Sequence, residues 1–197
     1  DKRGHETVCG GNKGEGETMG KGLTFLGYFV LEDPLKITAE EAIRLSKKLG
    51  IQIKIITGDS KEVSGYVAKR MGMITSSDNV MVGPDLEKMS KDDFDQACRD
   101  NTVFARISPT IKHAIIKSLQ KNYEVGFLGE GINDAPALNT ADVGIAVGSG
   151  TDVAIETGEI ILVKDDLRDV VTAIQLSSKT IVKVWENLFW AFFYNVV

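Results

Sequence analysis

The feature that most limits how this chain can fold is an alternation of short apolar runs with capped amphipathic stretches. The runs are Leu23 to Leu31, Gln52 to Ile56, Thr102 to Ile107, Glu124 to Leu128, Val143 to Val147 and Ile160 to Val163, all rich in Val, Ile and Phe. Runs of this length, separated by helical periodicity, predict an α/β fold with a mostly parallel sheet and helices on both faces.

The intervening helices are marked by their ends. Thr38 with Glu41 forms a capping-box pattern, Gly50 closes that stretch, Ser60 opens the next and Gly72 follows it. Ser108 with Pro109 reads as an N-cap with proline at the first helical position, and Ile111, Ile115 and Leu119 then share one face. Ser76 to Asp100 is polar and acidic, with Gly83-Pro84 as a turn and a short amphipathic helix around Lys91 to Cys98. It reads as a surface insertion between two strands.

The two ends differ from this middle. Residues 1–22 are glycine-rich and almost without apolar side chains, which suits a loop or the remnant of another domain. From about Leu167 a helical pattern runs without Gly or Pro into Leu188-Phe189-Trp190-Ala191-Phe192-Phe193-Tyr194-Asn195-Val196-Val197. Crossing a bilayer takes about 20 apolar residues. The tail is shorter, and with Trp190 and Tyr194 as interfacial residues it reads as the start of a transmembrane helix over 179–197. The other reading is a C-terminal core helix. On the first, residues 23–178 are a domain on the cytoplasmic side of a membrane.

Charge excludes one class of partner. With 23 Lys and Arg against 28 Asp and Glu, the net charge of −5 leaves no general basic face for nucleic acid, so any phosphate recognition has to rest on a few placed groups. Cys9 and Cys98 stand far apart, without companions at metal-ligand spacing, and read as inert thiols.

In parallel α/β sheets, ligands bind at the carboxyl ends of the strands, so the polar residues there are the candidates. After Ile55-Ile56 come Thr57, Gly58 and Asp59, where a hydroxyl and a helix start can hold a phosphoryl group; a plain N-cap turn is the alternative. After Phe104-Ala105 come Arg106 and, in the first turn of the next helix, Lys112. A cation there opposes the helix dipole, which suits a phosphate-neutralising ammonium or, alternatively, a solvated surface lysine. After Leu128 comes Gly129-Glu130-Gly131-Ile132-Asn133-Asp134. Two carboxylates and a carboxamide so close together are hard oxygen ligands suited to Mg²⁺ with a substrate phosphate, unless they serve only the turn.

Four stretches, Asp33-Pro34-Leu35-Lys36, Thr57-Gly58-Asp59, Phe104-Ala105-Arg106 with Pro109 and Lys112, and Gly129 to Leu138, closely resemble, in order and spacing, the phosphorylation domain of P-type cation-transporting ATPases. The likeness continues through Ala141 to Ala154 and covers about Leu23 to the end. It implies a haloacid-dehalogenase-like Rossmannoid fold. It also implies ATP as substrate, Mg²⁺ as cofactor, a transported metal cation and an aspartate that accepts the γ-phosphoryl. Carried over residue by residue, the resemblance makes Thr57, Gly58 and Asp59 the phosphate- and nucleotide-contacting loop and Arg106 the nucleotide-side arginine. Lys112 steadies the phosphoryl group, Asn133 is the carboxamide beside it, and Glu130 and Asp134 are the Mg²⁺-associated carboxylates. Asp33 and Pro34 match an interdomain hinge.

Two departures stand against the pattern. The phosphorylated aspartate belongs to an Asp-Lys-Thr-Gly motif, and Asp1-Lys2-Arg3-Gly4 lacks the threonine and a preceding apolar strand, so the isolated chain is expected to form no phosphoenzyme. Glu130 stands where the family has aspartate; one extra methylene shifts a carboxylate by roughly 1.5 Å, against Mg²⁺ ligand distances of about 2.0–2.1 Å. The tail Trp190 to Asn195 resembles the heavy-metal and copper branch, whereas the stretch from Ser76 to Arg106 resembles pumps for Mg²⁺ or Ca²⁺. A non-catalytic module that binds Mg²⁺ and phosphate is a further reading. A soluble dehalogenase-type phosphatase needs an amino-terminal Asp-x-Asp, which the start of this chain lacks.

Overall fold

The computed structural model describes residues 35–196. The strand expected over Leu23 to Leu31, the hinge pair Asp33 and Pro34, and Cys9 lie outside the described residues.

The chain enters α1 (Ile37–Lys48) and passes through β1 (Ile55–Ile56), α2 (Lys61–Arg70), β2 (Met81–Val82) and the single turn α3 (Gly83–Leu86). It continues through α4 (Lys91–Asp100), β3 (Val103–Ala105), α5 (Pro109–Leu119) and β4 (Gly126–Gly129). A 3₁₀ turn (Ile132–Asp134) leads into α6 (Ala135–Thr140), then β5 (Val143–Val147), α7 (Asp152–Thr157), β6 (Ile160–Leu162) and α8 (Arg168–Val196).

All strand pairs among the described residues are parallel. They form two three-stranded sheets, in the orders β1-β3-β2 and β4-β5-β6, where one sheet was expected. The first ladder is short because β3 begins at Val103: Ile55 pairs with Val103 and Ile56 with Phe104, so the expected strand from Gln52 shrinks to two residues.

Local chemistry explains most boundaries. Ser60, Ser90, Ser108 and Thr151 each accept an N–H from three residues on, satisfying a donor that has no partner inside its helix. Gly50 and Gly72 follow α1 and α2 with positive φ, as the sequence predicts. The Thr38–Glu41 capping box does not form. Lys36, extended at φ −61° and ψ 126°, is the N-cap and makes no side-chain cap, so the helix is under way before Thr38.

The reading of Ser76 to Asp100 as a surface insertion is corrected. Its β2 pairs with β3, Met81 to Phe104 and Val82 to Ala105, and Leu86, Ala97 and Cys98 are buried. The expected amphipathic helix is present as α4, but it turns Ala97 and Cys98 into the core and its charges outward, so the segment belongs to the packed unit. Gly83-Pro84 opens a helical turn rather than a plain loop.

Helix α5 joins the two halves of the core. Ile111, Ile115 and Leu119 pack with Phe104, Leu86 and Cys98 on one side. Ile116 belongs to a second cluster with Phe127, Ala137, Leu138 and Ala154. Residues four apart share a helix face, so the face that carries Ile116 toward Phe127 also carries Lys112 there.

Helix α8 packs only near its start, where Val171 is buried and Arg168 Nη1 meets Glu41 Oε2 of α1 at 3.0 Å. Beyond it, Trp185, Phe189, Trp190, Phe192 and Tyr194 are exposed, so the tail is not a core helix of the described unit. No helix among the described residues is long and apolar enough to cross a membrane.

Candidate functional site

A cleft of about 330 Å³ opens at the carboxyl ends of β1 and β4, the position that strand polarity predicts for a ligand. Thr57 and Gly58 after β1, Lys112 on α5, and Gly129, Glu130 and Asp134 after β4 line it, together with Lys36, Phe127 and Asp165.

The Thr57 loop is held from both sides. Thr57 N–H donates to Phe104 O at 2.9 Å, Ile107 N–H donates to Thr57 O at 2.9 Å, and Arg106 N–H donates to Asp59 O at 2.8 Å. Within the loop, Thr57 Oγ1 donates to Asp59 Oδ2 at 2.8 Å and accepts Asp59 N–H at 3.1 Å. Arg106 holds these contacts at φ 53°, a left-handed conformation that side chains other than glycine adopt at a cost of about 1–2 kcal/mol.

Lys112 is not a solvated surface lysine. Its side chain is 13% exposed, its Nζ lies 2.6 Å from Asp134 Oδ1, and the ammonium stands 5.6 Å from the centre of the Phe127 ring. The adverse dipole at the start of α5 is therefore met by a carboxylate and an aromatic face.

Asp134 anchors the other wall. Its Oδ2 accepts the N–H groups of Glu130 and Gly131, each at 3.2 Å. Burial pushes its carboxyl up, but the Lys112 hydrogen bond, the Gly131 N–H, the charge on Lys112 and the Glu130 N–H outweigh it and hold the group below its ordinary value. Gly129 is required here: a Cβ would stand 2.7 Å from Asp134 Cβ.

The structure brings together Thr57, Gly58, Lys112, Glu130 and Asp134 from the residues singled out by sequence. Asp59, Arg106 and Asn133 do not line the cleft. Asn133 and Arg106 are exposed beside it. Sequence reasoning passed over Lys36 and Asp165. The rule that drew attention to Thr57 and Glu130 applies equally to Asp165, just after β6, where the acidic pair Asp165-Asp166 was left aside.

A family profile described as haloacid dehalogenase-like hydrolase matches residues 7–142. The chain belongs to that family. Among known proteins, the probable copper-exporting P-type ATPase of Archaeoglobus fulgidus is 40% identical over 171 residues, 87% of this chain and 18% of that protein. The calcium-transporting ATPase type 2C member 1 of Homo sapiens is 41% identical over 155 residues, 78% of this chain and 17% of that protein. A crystal structure of a zinc-transporting PIB-type ATPase in its E2.Pi state superposes with a TM-score of 0.63 at 30% identity, covering 79% of this chain and 21% of that one. The chain thus spans only about a fifth of the length of these relatives.

The cleft suits Mg²⁺ in the chemistry of its donors. Glu130 and Asp134 supply hard carboxylate oxygens beside two lysines, and Mg²⁺ is usually held by one or two carboxylates with waters and a substrate phosphate. Among the described residues no three His, Cys, Asp or Glu side chains are grouped to hold a metal by themselves.

Proposed function

We propose that this haloacid dehalogenase-like chain is the phosphorylation domain of an ATP-driven cation pump of the P-type ATPase class. One observation carries the reading: the Lys112–Asp134 pair, 2.6 Å apart, lies in one cleft with Thr57 and Glu130 at the carboxyl ends of parallel strands. A half-buried ammonium fixed by a carboxylate beside a hydroxyl loop is an electrostatic receptor for a phosphoryl group.

In this reading Thr57 and Gly58 bind phosphoryl oxygens through a loop that Asp59 braces by accepting the Thr57 hydroxyl. Lys112 neutralises charge that develops on the transferred group, Asn133 is the carboxamide beside that group, and Arg106 is the nucleotide-side arginine. Glu130 and Asp134 would hold Mg²⁺, which supplies charge neutralisation of the phosphates. β1 and β4 are each the outermost strand of their sheet among the described residues, and both border the cleft.

We assign residues 23–178 to the phosphorylation domain, 1–22 to a nucleotide-domain remnant or linker, and 179–197 to the start of a membrane segment, with the domain on the cytoplasmic side. The unbroken α8 and its exposed aromatic side chains support a direct connection to a bilayer. The transported ion is a heavy metal such as copper, supported by the copper-exporting relatives and the zinc-transporting structure. A Ca²⁺-type pump is the second reading, supported by the 41% identity to the calcium-transporting relative.

The test is labelling of the complete polypeptide with γ-³²P-ATP and Mg²⁺ in membranes. Acid-stable, hydroxylamine-sensitive label that rises with Cu⁺ supports the copper reading, and label that rises with Ca²⁺ moves the assignment to the second. Absence of label with every cation in both the wild type and Glu130→Asp overturns the pump reading for this chain.

A further inference from the structure

The turn after β5 is wedged between the metal-side loop and the end of β6. Gly148 N–H donates to Leu162 O at 2.7 Å, and Thr151 N–H donates to Glu130 O at 2.8 Å. At Gly150 a Cβ would come within 2.6 Å of Glu130 O and 2.9 Å of Val147 O, so the backbone of this turn lies directly against Glu130. Between those two contacts, Ser149 Oγ donates to Asp165 Oδ1 at 2.7 Å, and Asp165 itself lines the cleft with Glu130 and Asp134.

We infer that Asp165 is a positioning residue of the phosphoryl-transfer site, holding Ser149 so that the 148–151 turn fixes the Glu130 backbone and, through it, the metal-side carboxylates. The inference rests on the Mg²⁺ role proposed for Glu130 and Asp134. The physical reason is directional: Gly148 N–H to Leu162 O and Thr151 N–H to Glu130 O hold the two ends of the turn by backbone bonds, and the Ser149–Asp165 bond adds the side-chain tie between the middle of the turn and the cleft. Groups behind a metal's ligands commonly change its affinity by about 10–100-fold when removed.

The experiment is Mn²⁺ binding to the 197-residue chain followed by the loss of free-ion EPR signal, with thermal unfolding measured on each variant. Asp165→Ala and Ser149→Ala are each expected to weaken Mn²⁺ about tenfold. Their combination is expected to be no weaker than Asp165→Ala alone, because each removes one partner of the same Ser149–Asp165 bond. Ser149→Thr keeps the hydroxyl and is expected to retain wild-type affinity, which guards against a simple folding defect. Asp166→Asn, which breaks the contact with Arg168 outside the cleft, is expected to lower the melting temperature and leave Mn²⁺ affinity unchanged. Losses that add in the double variant, or wild-type affinity in Asp165→Ala, overturn the inference. Asp134→Asn separates the two layers: if it binds Mn²⁺ as the wild type does, the metal reading fails and this inference with it. If Asp134→Asn loses binding while Asp165→Ala does not, only the role of Asp165 fails.

Discussion

Lys112 Nζ donates to Asp134 Oδ1 at 2.6 Å, joining the first turn of α5 to the end of the 3₁₀ turn across 22 residues of sequence. Both side chains are largely shielded, at 13% and 17% exposure, so each leaves the other an uncompensated charge if removed. Lys112→Met is expected to destabilise the chain by about 1–3 kcal/mol, the cost of a shielded polar group left unpaired. Lys112→Met with Asp134→Leu is expected to cost less than the sum of the single changes. Urea unfolding of the four proteins measures the coupling.

The same pair sets a pH dependence. The Asp134 carboxyl is held below its ordinary value of 3.8, so the folded state binds its proton less readily than the unfolded chain. Its contribution is therefore full above 3.8 and is lost as pH falls through the lower folded value. The stability difference between wild type and Asp134→Asn should be flat from about pH 5 to 7 and close below about pH 4. A difference that grows on acidification would contradict the assignment.

Arg106 separates backbone strain from side-chain role. With φ at 53°, Arg106→Gly is expected to raise stability by about 1 kcal/mol, whereas Arg106→Ala keeps the strain and is expected to give no gain. Both remove the guanidinium, so nucleotide affinity should fall equally in the two. Thermal melts together with nucleotide titration distinguish the effects.

Glu130 has its backbone fixed at both ends, through its N–H to Asp134 Oδ2 at 3.2 Å and its carbonyl to Thr151 N–H at 2.8 Å. Side-chain length then limits how far its carboxylate reaches from that fixed backbone. Glu130→Asp in the complete polypeptide is expected to increase phosphoenzyme formation, read as γ-³²P label. Unchanged labelling counts against Glu130 as the metal-side defect.

The outer part of α8 carries little of the described fold. Val171 is its buried residue, and the aromatic side chains from Trp185 onward are exposed. Truncation after Ser177 is expected to leave the melting temperature of the remainder within a few degrees while improving solubility, because an exposed apolar patch is removed. Circular dichroism and light scattering check the two halves of that expectation.

Much of this was legible in sequence because it is local. Ser60, Ser108 and Pro109 mark helix starts through bonds spanning three residues, and Ile111, Ile115 and Leu119 fall on one face by period alone. The errors arose where a neighbour decides. Met81 and Val82 become a strand because Phe104 and Ala105 lie alongside them, and no composition average over Ser76 to Asp100 contains that fact.

The site divides in the same way. Thr57, Lys112, Glu130 and Asp134 were identifiable as polar residues placed at strand ends or helix starts, and the sequence by itself determined their chemistry and spacing. Only the tertiary structure decided that Lys112 is shielded, that its partner is Asp134, and that Asp165 joins them while Arg106 and Asn133 stay outside the cleft. The reason is physical. Capping and periodicity act over a few residues, but the electrostatics of a cleft depend on which side chains two separate sheets bring within a few ångströms, and α5 sets that by packing Ile115 into one cluster and Ile116 into the other.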